Sequence, residues 1–262
     1  MLARPMGVDF SELEQRCVAV LGTQSADAAH DLGHMRRVVM NASRLAATEG
    51  ARREIVLPAS WLHDCVTVRK DSPQRAQASR LAAVQATTWL RAWNYPAEFL
   101  ADIAHAVEAH SFSAGIPPRT LEAQVVQDAD RLEAIGAVGL ARCLMLGGAM
   151  GRPLYVEPDP FCEKRKPDDR ASVVDHFYTK LLTLEGTMQT KGGQGGSARA
   201  DGIPARFSRA AGDGDRGGPK VPLISHSRLG QIVQHCSKSH RYDFTRHSSP
   251  NRLTPIRGRG PN

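Results

Sequence analysis

Apolar residues recur at the spacing of an α-helix in segment after segment of the first 190 positions. The stretch that follows Asp9 is a clear example, with apolar side chains at Phe10, Leu13, Cys17 and Leu21. No segment shows sustained alternation of apolar and polar positions with the β-branched residues that strands prefer. We therefore predict an all-α fold, a helical bundle.

Seven helices are predicted in this part of the chain. The first covers residues 9–21, and the second is capped by Asp27 or a neighbour and carries His30 and His34. The others are expected over Pro58–Asp64, from Ser72 through Leu90, after Pro96, over Thr120–Leu146 and over Ala171–Leu184, with a loop at Gly147–Asp169.

The composition changes after Thr190. Residues 191–262 hold 12 of the 23 glycines and 6 of the 16 prolines, and helical periodicity disappears. The net charge of +7 divides into +9 for residues 191–262 and −2 for residues 1–190. Because the body has no surplus of positive charge for nucleic-acid phosphates, we expect no nucleic-acid partner. We divide the chain into a domain over residues 1–190 and a basic tail over residues 191–262.

Two interpretations of the tail stay open. Its composition is typical of a disordered segment. Alternatively, it is the product of a shifted reading frame, because codons permitted for residues 198–208 can encode an amphipathic helix when they are read one nucleotide later.

The sequence also indicates the cellular compartment in which the protein is expected to act. No apolar run approaches the roughly 18–20 residues that cross a bilayer, and the N-terminus has no apolar signal core. The cysteines are dispersed without a CxxC pair, which is typical of a reducing environment. We expect a cytoplasmic protein that does not contact a membrane. The cysteines are Cys17, Cys65, Cys143, Cys162 and Cys236.

A few histidines and carboxylates are candidates for a metal site. His34 lies on the second predicted helix, His63 and Asp64 end an apolar stretch, and Asp128 and Asp130 lie within the apolar pattern of the sixth helix. Two carboxylates there are costly to bury unless they are paired or bind a cation. Imidazoles with carboxylates suit a divalent transition-metal ion. Each residue alone is also typical of an ordinary core or ion-pair position.

Several strings of residues together resemble the HD superfamily of metal-dependent phosphohydrolases, and they occur in that family's order. The likeness is greatest to small bacterial members, some of which are nucleoside triphosphate pyrophosphohydrolases. It covers about residues 10–190, beyond which the subgroup has a further helix that this sequence lacks, a loss that would expose apolar surface. The strings are Ala29–Val38, Trp61–Cys65, Ala109–Ser113, Gln127–Gly136 and His176–Leu182.

The resemblance implies a set of metal ligands. The family's first ligand falls on His34, the His-Asp pair on His63 and Asp64, and the last ligand on Asp130. Asp128 is the rival for the last position, but two residues separated by one on a helix point in different directions. We expect Mn²⁺ at this site, with Co²⁺, Ni²⁺, Fe²⁺, Zn²⁺ or Mg²⁺ as alternatives.

A second ring of residues is expected around the metal. The resemblance gives Lys70 and Asp71 roles in neutralising phosphate and in orienting or deprotonating water, although a solvated loop explains both equally well. His110 is a candidate for a phosphate contact or a leaving-group acid, and a helix C-cap is its alternative. His30 is a candidate support for His34. Further candidates for phosphate binding are Arg37, Arg142 and Lys180, each of which is also typical of a surface ion pair.

The expected function is hydrolysis of a phosphoester or pyrophosphate bond of a nucleotide through a metal-activated water, with Asp64 among the catalytic residues. One alternative is a binuclear enzyme that uses His105 and His110 as additional ligands. Another is a nucleotide-binding protein with little or no turnover. The sequence leaves the oligomeric state open, a homodimer included.

Overall fold

The computed structural model describes residues 8–23, 31–68 and 74–200, and every regular element within them is helical. The predicted all-α class is confirmed. None of the described helices is by itself long and apolar enough to cross a membrane, although the bent pair α6 and α7 meets that test when its halves are combined. The helices are α1 (Phe10–Gly22), α2 (Leu32–Glu49), α3 (Arg53–Leu62), α4 (Ala78–Ala92), α5 (Leu100–Ala109), α6 (Leu121–Ile135), α7 (Ala137–Ala149), α8 (Val173–Thr179) and α9 (Lys191–Ala200).

The start of α2 is fixed by Asp31. Its carboxylate accepts a 2.7 Å hydrogen bond from the backbone N–H of His34, one of the N–H groups that have no partner inside a helix. The expected cap, Asp27 or a neighbour, is therefore placed too early, and Asp27 and His30 lie outside the described residues. The cap holds His34 in the first turn of α2, where it is only 1% exposed.

α6 lies at the centre of the bundle and packs against α2, α3, α5, α7 and α9. Its residues Val125, Val126 and Ala129 are fully buried, as are Val38 of α2 and Ile103 of α5. Because α2, α3 and α5 all surround α6, side chains from distant parts of the sequence meet beside it.

Pro58 lies inside α3, and the expectation that it stands near a helix start is wrong. It is the sixth residue of a helix that begins at Arg53. A proline cannot donate to the carbonyl group four residues earlier, which here belongs to Glu54. The hydroxyl group of Tyr95 donates a 2.6 Å hydrogen bond to that carbonyl oxygen. A tertiary contact thus compensates for the bond that the proline removes.

The single helix expected over Thr120–Leu146 is two helices that meet at Gly136. α6 and α7 are bent by 71° relative to each other, and the backbone at Gly136 is extended, with φ −78° and ψ −177°. The apolar pattern runs through the bend, which is why periodicity alone does not reveal it. The bend turns Arg142 of α7 back to Glu133 of α6.

The last predicted helix of the body is shorter than expected. Instead of Ala171–Leu184, the structure has α8 over Val173–Thr179 and then two single turns of 3-10 helix, Leu181–Thr183 and Glu185–Thr187. Phe177 of α8 is fully buried in a second apolar cluster at the α6–α7 junction.

α9 is a helix in the part of the chain where none was expected. Three of its four glycines lie so close to α2 and α6 that an added Cβ atom would crowd or overlap a neighbouring side chain, so close approach accounts for these three. Residues 201–262, the rest of the predicted tail, lie outside the described residues, and the shifted reading frame stays a prediction. The close approaches join Gly192 to Leu45, Gly193 to Asp128 and Gly196 to Leu132.

Candidate metal centre

Four parts of the fold bring histidines and carboxylates to one place. His34 lies in the first turn of α2, and Asp130 lies in α6. His63 and His110 are the residues directly after α3 and α5, and Asp64 follows His63. These residues are separated by up to 96 positions in the chain, so only the packing of α2, α3 and α5 around α6 unites them.

The facing atoms are close enough to share an ion. Oδ1 of Asp130 lies 3.6 Å from Nε2 of His34 and 3.8 Å from Nε2 of His63. Oδ2 of Asp64 lies 3.6 Å from Nε2 of His63, and its Oδ1 lies 3.4 Å from Nε2 of His110. Two ligands that are each about 2.1 Å from an ion lie at most about 4.2 Å apart, so the spacing within each of these pairs is compatible with a shared cation.

Two donor sets overlap at His63. His34, His63 and Asp130 offer ligand atoms within 4.8 Å of one another, and so do His63, Asp64 and His110. His110, which the resemblance places outside the ligand set, therefore lies as close to Asp64 as the expected ligands lie to each other.

The second ring nitrogen of each histidine faces an oxygen atom. Nδ1 of His63 lies 2.8 Å from the carbonyl oxygen of Ser60, and Nδ1 of His110 lies 2.6 Å from that of Val107. An oxygen at Nδ1 favours a proton there and leaves the Nε2 lone pair for the centre.

The donor set passes a chemical test for a cation. His63 is fully buried, and its Nε2 has no hydrogen-bond partner among the residues that the structure describes. Such an orphaned acceptor is costly unless something binds it. Burial lowers the pKa of His34 and of His63 to about 4, so both rings are neutral near pH 7, as metal ligation requires. The residues present therefore fit a divalent ion.

Asp128 does not face this centre. Its carboxylate accepts hydrogen bonds from the backbone N–H groups of Gln189 and Thr190 and from the Thr190 hydroxyl group, at 2.8–3.1 Å. Burial raises the pKa of Asp128, and those bonds offset part of that effect. The geometry therefore directs Asp130 to the histidines and Asp128 to the segment before α9.

Glu133 is a buried residue beside the centre that the sequence analysis did not single out. Its Oε2 lies 3.1 Å from Nδ1 of His34. A signal for it existed, because it follows Asp130 by three positions on α6, and residues three apart share a helix face.

The predicted phosphate-binding residues lie in two places. Arg37 donates from Nε to Oε1 of Glu133 at 2.8 Å, and the guanidinium group of Arg142 contacts Oε2 of the same carboxylate. Lys180 lies elsewhere, with Nζ 5.7 Å from the ring centroid of Phe112. Of these three described cations, the structure thus brings Arg37 and Arg142 to Glu133.

Other predicted residues stand apart from the centre or outside the described ranges. His105 accepts a 2.9 Å hydrogen bond from the backbone N–H of Arg119 and belongs to neither donor set found within residues 8–23, 31–68 and 74–200. Lys70, Asp71 and His30 lie outside those ranges.

Several known proteins are similar to this chain in sequence and fold. The HD-domain family model matches residues 31–135. The Bacillus subtilis protein YpgQ, itself uncharacterized, is 32% identical over 167 residues, which cover 62% of this chain and 73% of YpgQ. Its crystal structure in complex with ADP superimposes with a TM-score of 0.60 at 29% identity, covering 79% of this chain and 95% of YpgQ. An HD-superfamily hydrolase from Bacillus thuringiensis gives a TM-score of 0.59 at 26% identity, covering 79% and 98%. The chain therefore belongs to the HD superfamily of hydrolases, as its motifs predict.

Proposed function

We propose that this protein is a metal-dependent phosphohydrolase that cleaves a phosphoester or pyrophosphate bond of a nucleotide. A divalent ion, for which Mn²⁺ is our choice, is held by His34, His63, Asp64 and Asp130. The observation that carries this proposal is the proximity of two Nε2 atoms and two carboxylates. Asp130 lies 3.6 Å from Nε2 of His34 and 3.8 Å from Nε2 of His63, and Asp64 lies 3.6 Å from Nε2 of His63.

The chemistry follows from the groups that surround the ion. A bound divalent cation lowers the pKa of water and polarises a phosphoryl oxygen. Asp64, whose side chain is 30% exposed, is the carboxylate positioned to orient the attacking water and accept its proton. His110, 3.4 Å from Asp64, is positioned to contact the phosphate or to donate a proton to the leaving oxygen.

Cationic side chains complete the proposed site. Lys180 beside Phe112 and the guanidinium groups of Arg37 and Arg142 are the cations that we assign to the phosphate oxygens. Lys70 and Asp71 keep the roles that the resemblance gives them.

A nucleotide is the proposed substrate class because YpgQ, 29% identical, was crystallised with ADP. The test therefore covers a panel of ribo- and deoxyribonucleotides that differ in base, sugar and number of phosphates.

The test is a screen of the purified protein with Mn²⁺ against that panel, with phosphate and pyrophosphate measured separately. We expect Mn²⁺-dependent release of one of the two products, and we expect Asp64→Asn to reduce the rate by at least about 100-fold. Asp102→Asn is the matched control, because Asp102 pairs with Arg52 away from the centre, at 2.8 Å. Tight nucleotide binding without turnover would instead favour a binding protein and contradict the hydrolase.

A further inference from the structure

We propose that Glu133 is a positioning residue for His34. Held by Arg37 and Arg142, its carboxylate fixes the imidazole with Nε2 turned toward Asp130. This inference deepens the proposed function and rests on it for the presence of a metal ion, although the orientation of His34 can be measured without one.

Both oxygens of the Glu133 carboxylate face nitrogen atoms, and Oε1 accepts a hydrogen bond. Oε1 accepts a 2.8 Å hydrogen bond from Nε of Arg37, and Oε2 contacts the guanidinium group of Arg142. Oε2 also lies 3.1 Å from Nδ1 of His34. The side chain of Glu133 is only 2% exposed, so little of it is accessible to water.

The charges explain why two arginines are needed. A buried carboxylate beside a neutral imidazole is costly, because its solvation is lost and the imidazole brings no compensating charge. Arg37 and Arg142 supply that charge from α2 and α7. The ionised carboxylate then favours the tautomer of His34 with its proton on Nδ1, since an N–H attracts the oxygen and a lone pair repels it.

Nδ1 of His34 faces a side-chain oxygen, whereas Nδ1 of the other two histidines faces a backbone oxygen. His63 and His110 each stand directly after a helix, and their Nδ1 atoms face carbonyl oxygens three residues earlier, those of Ser60 and Val107. His34 stands at the start of α2, and the oxygen at its Nδ1 comes from Glu133, 99 residues away. A single substitution can therefore release this ring without altering the helix that carries it.

The same helix offers a matched control. Glu122 of α6 is also buried, at 6% exposure, and accepts a 2.9 Å hydrogen bond from Nε of Arg52. It belongs to neither donor set among the described residues. The change Glu122→Gln removes the same charge from the same helix next to an arginine, so it reports the structural cost alone.

The experiment compares Glu133→Gln with Glu122→Gln by calorimetric titration with Mn²⁺ alone and by imidazole ¹⁵N chemical shifts of the metal-free proteins. A glutamine has one acceptor oxygen, for which the two arginines compete. We expect Glu133→Gln to weaken Mn²⁺ binding by about 10- to 100-fold and to populate the Nε2-protonated tautomer of His34. Glu122→Gln should change Mn²⁺ affinity by less than about twofold.

Unchanged Mn²⁺ affinity and an unchanged His34 tautomer in folded Glu133→Gln protein would overturn the inference. If Glu133→Gln does not fold, Arg37→Gln takes its place, because the Arg37 side chain is 30% exposed and its loss removes one of the two supports. It should change both readouts in the same direction, and no change in either would again overturn the inference. If the unsubstituted protein does not bind Mn²⁺, the proposed function fails while the tautomer still decides the role of Glu133.

Discussion

The carboxylate of Asp128 accepts a 2.8 Å hydrogen bond from the hydroxyl group of Thr190, and this bond joins the middle of α6 to the residue before α9. Asp130, two positions further along α6, lies 3.6 Å from Nε2 of His34 instead. Because residues two apart point to different sides of a helix, α6 supplies both an anchor for α9 and a candidate ligand.

The two aspartates should therefore respond differently to the same substitution. Asp128→Asn should lower the free energy of unfolding by about 1–3 kcal/mol, because an amide presents an N–H₂ group to buried donors, and it should leave Mn²⁺ affinity within about twofold. Asp130→Asn should weaken Mn²⁺ binding by at least about tenfold and change stability little. Urea unfolding and calorimetric titration check both, and loss of Mn²⁺ binding in folded Asp128→Asn protein would contradict the assignment.

Two glycines of α9 provide a second matched pair. Gly193→Ala should destabilise the protein by about 1–3 kcal/mol, because its Cβ atom would overlap Oδ2 of Asp128. Gly195 has open space around the same position, so Gly195→Ala should stabilise by about 0.5–1 kcal/mol through helix propensity. Thermal unfolding measures both, and equal effects of the two changes would show that α9 does not pack as described.

Addition of metal should raise the melting temperature. Mn²⁺ at 100 times its dissociation constant stabilises a protein that binds it only when folded by about 2.7 kcal/mol. We expect this rise in the EDTA-treated parent protein after Mn²⁺ is restored, and none in His63→Ala. His105→Ala is the control and should keep the rise, because His105 bonds to the backbone of Arg119 instead. A rise retained in His63→Ala would argue for binding elsewhere.

The loop before α8 should contribute to acid sensitivity through Asp175. Burial raises the pKa of its carboxyl group, but hydrogen bonds from Arg165, Ser172 and the backbone of Asp168 lower it more, so the pKa is well below its usual value. A lowered pKa in the folded state stabilises above the usual value near 4, and that stability is lost as the pH falls below it.

Replacement of this carboxylate tests the pH dependence. Asp175→Asn should cost about 2–4 kcal/mol at pH 7, and the gap from the parent protein should narrow between about pH 4 and pH 2. Asp168→Asn, at an exposed position, should cost less than about 0.5 kcal/mol. Urea unfolding at each pH measures the difference, and a gap that is constant with pH would refute the role given to the ionised form.

Much of the fold follows from local patterns, and the departures follow from tertiary contacts. Apolar spacing predicts the class and most helices. It does not reveal that Pro58 lies within α3, because the carbonyl group that this proline leaves unpaired is satisfied by Tyr95 from a distant segment. Apolar spacing also predicts no helix at α9, because the reason for most of its glycines is their close contact with α2 and α6, which is a tertiary feature.

The candidate site shows the same division. His34, His63, Asp64 and Asp130 are suggested by short motifs, and the structure brings them together. Glu133 is harder to recognise from the sequence, because its relation to His34 spans 99 positions. Its local signal is its position three residues after Asp130, which places both carboxylates on one face of α6.

The bend at Gly136 has a consequence for the whole centre. Glu133 and Arg142 are nine residues apart, so an uninterrupted helix would hold them about 13.5 Å apart along its axis and on nearly opposite sides. The 71° bend removes that separation and lets the guanidinium group of Arg142 contact the Glu133 carboxylate beside His34. The extended backbone at Gly136, a residue without any reactive group, thereby brings Arg142 to the carboxylate that faces Nδ1 of His34.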